Sequence, residues 1–353
     1  MRDDAHIEVF ADHLRLRLGA PPRALRFHWF WLRHNCPREV HPLTRERTLD
    51  ARRVPLDLFP RSARLVGDAL QVVWDDGESV FPLEWLVANA YDDAQDAQVA
   101  PPSSDLAPVT LVAGLGEPAS ALARRALAVV QRSGVVVARG AGLDTEALID
   151  ALAAEGLSVR STHFGRIEDL RTDNTTNQNT DQLGYTDAPV ELHTDQPFID
   201  APPRYQLLHA MRAATTGGEN LIADAAAALA WLRAVDRPSY DVLTTTPVVF
   251  HRRQQRFESR VEAPLFRLDA EGALAQVRHS YFTFAPHRRP FDEMEAFYRA
   301  YQRFQRIVHN PAHHLRFLLG PGDFVLYDNH RMLHARTSFS GPRWVRGVYF
   351  DPP

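Results

Sequence analysis

Between residues 91 and 108 the chain runs through Asp, Ala, Gln, Pro and Ser with few large apolar side chains. A stretch with so little to bury reads as a linker and places a boundary there, between two domains or between one large domain and an appendage. The expected division is 1–92 for a small β-rich domain, 93–107 for the linker and 108–353 for a larger domain. A length of 353 residues accommodates both.

Within the first unit, residues 24–32 and 69–74 read as strands, and Asp75-Asp76-Gly77 is a hairpin turn signal. Past the linker, residues 117–131 and 145–154 have helical spacing, and the β-branched run 134–138 reads as a buried strand. Residues 173–181 are polar and predict a surface loop. From Val190 onward the pattern is strand-like, with one further long amphipathic helix at 291–308 and closing strands at 324–327 and 344–350. Early helices and late strands predict a mainly β fold with flanking helices, an antiparallel barrel or sandwich.

All 40 basic residues are arginine, which excludes Schiff-base chemistry and a Walker-type phosphate loop, both of which need lysine. The net charge of −4, with arginines interleaved among acids, gives no footprint for nucleic acid. A single cysteine, Cys36, and the absence of a long apolar run lead us to expect a cytoplasmic protein without a membrane span. The Asn174-Thr175-Thr176 acceptor pattern is then accidental.

Glu191-Leu192-His193-Thr194-Asp195 carries the first chemistry. On a strand, residues two apart face one side, so His193 and Asp195 can grip one metal. Such a triplet is weak alone, since roughly one is expected by chance with 16 histidines. Its weight comes from the far end, where a Gly320-Pro321-Gly322-Asp323 turn, a strand, and His334 are followed by Arg343. Two imidazoles and one carboxylate on one face of Fe(II) leave three positions open. A 2-oxo acid fills two and O2 the third. The distal carboxylate of that acid calls for a bidentate arginine, which Arg343 can supply. By strand parity Arg343, Gly347 and Tyr349 share a face, and Arg346 points away. His209, His251, His279, His287, His309, His313, His314 and His330 are expected to be structural or solvated, with His330 closest to the triad in sequence.

The chain from about Ser120 onward resembles the taurine dioxygenase-like superfamily, and the whole chain resembles its γ-butyrobetaine hydroxylase and trimethyllysine hydroxylase branch. The resemblance rests on Leu192-His193-Thr194-Asp195, Pro202-Pro203, Gln206-Leu207-Leu208-His209, Gly217-Gly218-Glu219-Asn220 and Gly322-Asp323. It continues through Asp328-Asn329, Leu333-His334-Ala335-Arg336, Arg343 and Gly347-Val348-Tyr349. It implies a double-stranded β-helix (jelly roll) catalytic domain behind a small β-rich N-terminal domain. It also implies metal ligands at His193, Asp195 and His334, and 2-oxoglutarate contacts at Arg343 and Asn220. The implied activity is Fe(II)- and 2-oxoglutarate-dependent hydroxylation of a small molecule, with succinate and CO2 as co-products.

The same resemblance places an aromatic cage for a cationic substrate at Tyr185 and Tyr349, with Phe164 where tyrosine is usual and Glu168 where tryptophan is usual. Glu168 either faces the substrate, favouring amines with N–H donors, or belongs to a solvated Arg166-Ile167-Glu168-Asp169 face. The expected substrate is a small cationic or zwitterionic amine or betaine. The alternatives are a non-amine acid, or a jelly roll that binds a metal or small molecule without catalysis. The stretch from Trp31 to Pro37 resembles a zinc-binding accessory domain, but Cys36, Arg38, His41 and Glu78 are a poor zinc set. We expect no zinc there, and expect the domain to serve packing and a homodimer contact.

Overall fold

A computed structural model of the chain describes residues 5–19, 23–91, 118–171 and 183–352; the linker 93–107 and the polar tract 173–181 lie outside these residues. Two facing antiparallel sheets form the body of the larger unit. The major sheet runs, in spatial order, Val135–Ala138, Phe324–Asp328, Tyr205–Arg212, Trp344–Asp351 and Ser158–Arg160, with Glu168–Arg171 also paired to Trp344–Asp351. The minor sheet runs Val190–His193, Met332–Arg336, Asn220–Asp224 and His314–Phe317. This is the expected mainly β jelly roll.

Strand parity fixes the layers. Val136, Leu207, Leu326, Val348 and Phe350 point outward and pack under the helices Ala119–Ser133 and Thr145–Ala154. Their neighbours Val135, Leu208, Val325, Tyr327 and Val345 point inward and meet Ile222 and Met332 of the minor sheet. The strand at 135–138 is buried on both faces, so it reads as an uninterrupted apolar run.

The outer face of the minor sheet is covered differently. Leu192, Ala223, Leu333 and Ala335 belong to one continuous core with the helix Phe291–Val308 and with Leu25, Phe27, Trp29, Trp31 and Trp74 of the first unit. Two three-stranded sheets, His6–Val9 to Arg23–His28 and Ser62–Val66 to Gly77–Pro82, make up that unit, and the Asp75-Asp76-Gly77 turn closes the second hairpin.

Two expectations need correction. The strand expected over 24–32 ends at His28, and Trp29–His34 is a helix with all six side chains buried. An alternating strand exposes one face; the surrounding core demanded both, and tertiary packing overrode the β preference of the aromatics. Residues 190–350 also hold two helices beyond 291–308, namely Ala225–Val235 and Arg237–Thr245. Their start signals were present in the sequence. Asp224 accepts from the N–H groups of Ala226 and Ala227, and Asp236 caps Ser239 beside Pro238.

Candidate metal centre and active-site pocket

His193 and His334 are register partners on neighbouring antiparallel strands of the minor sheet, which sets their rings 4.0 Å apart. The strand carrying His193 ends at that residue, so Asp195 is not its same-face strand neighbour as expected. It sits in the following turn, and Gln196 after it has a positive φ of 55°. Asn329 compensates for the missing strand pairing. Its Oδ1 accepts from the Asp195 N–H at 2.8 Å, and its Nδ2 donates to the carbonyls of Asp195 and Pro203, both at 3.0 Å. Thr194 between the ligands is fixed to the His279 backbone in both directions.

The three side chains converge. Asp195 Oδ1 lies 3.3 Å from His193 Nε2 and 3.7 Å from His334 Nε2. One ligand atom from each residue lies within 4.8 Å of the others, a geometry found at no other His/Cys/Asp/Glu cluster among the described residues. His193 Nδ1 is 2.8 Å from the Glu191 carbonyl, an acceptor only, so Nδ1 carries the proton and Nε2 presents its lone pair to the centre. Burial and the neighbouring His193 push His334 down to about 3, so it is neutral near pH 7. Burial works to raise the Asp195 carboxyl. His334, His193 and the Tyr349 hydroxyl outweigh it and hold Asp195 well below the usual carboxylate range. Two imidazoles and an anionic carboxylate fit a divalent iron with open positions.

These residues open onto a cavity of about 110 Å³. Arg343, Asn220, Glu168, Phe164 and Tyr349 line it, as do Gln206, Phe282, Arg336, Glu46 and Arg252. Arg343 is 9% exposed, and burial together with Arg336 pushes it down to about 9. It stays cationic, and its field calls for an anion. Arg336 is committed to the backbone carbonyls of Gly184, Thr186 and Ala188. Arg346 faces the other way, onto Asp169 at 3.2 Å and the Thr145 hydroxyl at 3.4 Å. The turn before Asn220 needs its glycine: a Cβ on Gly217 (φ +71°) would stand 2.2 Å from the Ser338 carbonyl oxygen.

Of the four cage positions, three face the cavity. Tyr185 is not among the residues lining it. Its ring is 1% exposed and stands behind Phe164, with ring centroids 6.5 Å apart. Tyr349 does more than offer a ring face, since its hydroxyl donates to Asp195 Oδ2 at 2.7 Å. Glu168 is 5% exposed, which excludes the solvated-face reading. His330 is tied to the Pro202 carbonyl at 2.9 Å and does not line the cavity.

In the first unit Cys36 is buried with its Sγ 3.9 Å from the Glu78 carbonyl, and His41 Nδ1 accepts from the Thr44 N–H. Arg38 brings its own cation to the corner, pairing with Asp76 and Glu39, and a Cβ on Gly77 would meet its guanidinium at 1.7 Å.

Sequence reading missed Asn329, Glu46, Arg252 and Gln206. Asn329 and Gln206 lay within segments that carried the resemblance, and inward parity with Leu208 marks Gln206. Nothing in the sequence marks Glu46 or Arg252.

A jelly roll with such a centre at the end of its minor sheet defines a mononuclear non-haem iron oxygenase of the 2-oxoglutarate-dependent class. The chain belongs to the family described as "Taurine catabolism dioxygenase TauD, TfdA family", whose profile matches residues 105–349. Residues 19–87 match "Gamma-butyrobetaine hydroxylase-like, N-terminal". The chain is similar to gamma-butyrobetaine dioxygenase of Pseudomonas sp. (strain AK-1), with 31% identity over 94% of this chain and 89% of that one. It is also similar to trimethyllysine dioxygenase of Meyerozyma guilliermondii, with 27% identity over 92% and 88%. Among solved structures, an asparagine oxygenase in complex with Fe(II), hydroxyasparagine and succinate superposes with a TM-score of 0.51. It is 18% identical, over 65% of this chain and 79% of that one. A taurine dioxygenase from Burkholderia xenovorans gives a TM-score of 0.50 at 16% identity, over 72% and 91%. The protein is an Fe(II)-dependent dioxygenase that uses 2-oxoglutarate and O2. No helix among the described residues is long and apolar enough to cross a membrane.

Proposed function

We propose that this dioxygenase hydroxylates a small cationic or zwitterionic amine, with iron on His193, Asp195 and His334 and 2-oxoglutarate against Arg343 and Asn220. Bound there, Fe(II) supplies the redox chemistry that couples decarboxylation of 2-oxoglutarate to succinate with oxygen insertion into a substrate C–H bond. The chain's own residues do the positioning. Asn329 fixes the backbone of Asp195, the Tyr349 hydroxyl holds the carboxylate oxygen that faces away from the histidines, and Arg343 supplies the cation for the co-substrate.

The observation that carries the substrate reading is Glu168, a buried carboxylate on the cavity wall beside Tyr349 and Phe164. A carboxylate next to aromatic faces attracts an ammonium group, and favours one that keeps N–H donors over a fully methylated one. The names of the relatives, which act on a butyrobetaine and a trimethyllysine, support an amine or betaine. Tyr185 contributes by backing Phe164. Residues 1–92 form the accessory unit, 93–107 the linker and 108–353 the oxygenase, and the enzyme works as a cytoplasmic homodimer. Light scattering of the purified protein tests the last point.

Succinate release across a panel of amines, betaines and neutral acids tests the substrate reading. Coupling to amines, reduced in Glu168→Gln and shifted toward trimethylated compounds in Glu168→Trp, is the expected result. Selective coupling to an uncharged or purely anionic compound, indifferent to Glu168 and Tyr349, would end the amine reading and leave the oxygenase intact.

A further inference from the structure

Three neighbouring strands of the major sheet set a row of polar side chains against the metal centre. Gln206 of the strand Tyr205–Arg212 is the register partner of Tyr327 on one side and of Tyr349 on the other. Residues directly opposite one another share a face, so all three point inward with Leu208 and Val325, toward the minor sheet. Tyr327, Gln206 and Tyr349 are 0%, 2% and 4% exposed. The other inward positions of these strands, Leu208, Ala210, Val325 and Val345, are apolar. A primary amide buried in such a setting costs free energy unless both of its ends are satisfied.

Donor and acceptor accounting fixes the direction of the row. A phenol near neutral pH keeps its hydrogen and donates once. The Tyr327 hydroxyl donates to Gln206 Oε1. That turns Gln206 Nε2 toward Tyr349, to whose oxygen it donates at 3.3 Å. With the amide turned over, the Tyr327 hydrogen would lose this acceptor, and Oε1 would draw the Tyr349 hydrogen away from the carboxylates. In the observed arrangement the Tyr349 oxygen accepts from Gln206, and its single hydrogen goes to a carboxylate. Two are in reach, Asp195 Oδ2 at 2.7 Å and Glu168 Oε2 at 3.4 Å, and the shorter contact is to Asp195. Asp195 Oδ1 is then the oxygen turned to His193 and His334, at 3.3 Å and 3.7 Å. Tyr327 meets the centre a second time, since its ring lies 4.9 Å from that of His334.

We infer that Gln206, held by Tyr327, is a positioning residue of the iron centre: it directs the Tyr349 hydrogen onto Asp195 Oδ2 and leaves Oδ1 as the oxygen offered to the metal. The consequence is chemical. A carboxylate that engaged through both oxygens would take one of the positions that 2-oxoglutarate and O2 need. Gln206 acts through Tyr349, and Tyr327 acts through Gln206. The row belongs to the major sheet and the ligands to the minor sheet, so the packing of one sheet on the other sets the carboxylate. This rests on the assignment of iron to His193, Asp195 and His334 and is independent of the substrate.

Calorimetric titration of the metal-free protein with Co(II), which stands in for Fe(II) without oxidising, provides the test. The Co(II) absorption spectrum is recorded on the same samples, and the melting temperature of the metal-free protein reports on folding. Tyr349→Phe should weaken Co(II) binding by about 10–100-fold, the range typical of groups that orient a metal ligand. Gln206→Met, which keeps the length of the side chain and removes its hydrogen bonds, should weaken it by about three- to tenfold and alter the spectrum in the same sense. In a Tyr349→Phe background Gln206→Met should change the affinity by less than about twofold, because the hydroxyl it acts through is already gone. Where Gln206→Met strands the Tyr327 hydroxyl and fails to fold, Gln206→Met/Tyr327→Phe removes both partners together and carries the same expectation. Unchanged Co(II) affinity in the Gln206 variants overturns the inference. An equal loss with and without the Tyr349 hydroxyl also overturns it, since that marks a general packing effect. Wild-type Co(II) affinity in Asp195→Ala is a different failure, which removes the iron assignment itself and the positioning role with it.

Discussion

The two faces of the minor sheet are covered in opposite ways. Its inner face, with His193 and His334, looks into a cavity edged by carboxylates, guanidiniums and amides, each held by a few directed hydrogen bonds. On its outer face Leu192 and Leu333 join a dense aromatic core in which Phe27, Trp31 and Tyr91 of the first unit pack near Tyr298, Phe297 and Tyr301 of the long helix. The inner face should therefore tolerate substitution and lose function. The outer face should lose stability, because close-packed aromatic contacts have no substitute when one ring is removed.

The largest expected effect lies on the inner face. Asp195→Ala should abolish iron binding and 2-oxoglutarate turnover while the far-UV circular dichroism and melting temperature stay near wild type. Full turnover in that variant would sink the metal assignment, and unfolding would erase the contrast between the faces. On the outer face, Trp31→Ala removes a fully buried ring and should cost about 3–5 kcal/mol in urea unfolding. A loss as small as that of a surface substitution would show that the first unit is only loosely attached.

Two arginines near the start of the last strand, Arg343 just before Trp344 and Arg346 within it, sharpen the inner side of the comparison. Arg343→Ala should weaken 2-oxoglutarate binding by roughly 2–4 kcal/mol, the usual cost of breaking a desolvated charge pair. Arg346→Ala, whose partner is Asp169 on the helix-covered face, should change it little. Equal losses in calorimetric titration would refute the parity argument.

Acid should separate the faces more gently. Burial pushes His28 down to about 4 and His287 down to about 3, and both sit against the aromatic core. A histidine whose folded value is depressed favours the neutral form. Its contribution is present above the unfolded value near 6.5 and is lost as pH falls toward the folded value. Each should cost about 1.4 kcal/mol per pH unit over that window. Urea titrations at pH 7.5, 6.0 and 5.0 should show the decline, with a shallower slope in His287→Asn. A flat profile would mean that these rings are not buried neutral in solution.

Much of this molecule is local and so was legible in the chain. The helices at 145–154 and 291–308 follow from 3.6-residue spacing, and the buried strand at 135–138 from its β-branched run. Parity along the last strand separated Arg343 from Arg346. At Trp29–His34 the local β preference of the aromatics was overridden by packing, which buries all six side chains of the helix. Motif and order alone put His193, Asp195, His334 and Arg343 at one site, because each sits in a segment whose neighbours constrain it. Only the tertiary structure moved Asp195 off the end of its strand and gave it Asn329 as a clamp, turned Glu168 into the cavity, and set Tyr185 behind Phe164. It alone brought Glu46 to Arg252. Burial and long-range contact decide these placements, and neither leaves a periodic trace in the sequence, since the partners are joined through the packing of separate elements rather than through the spacing of one.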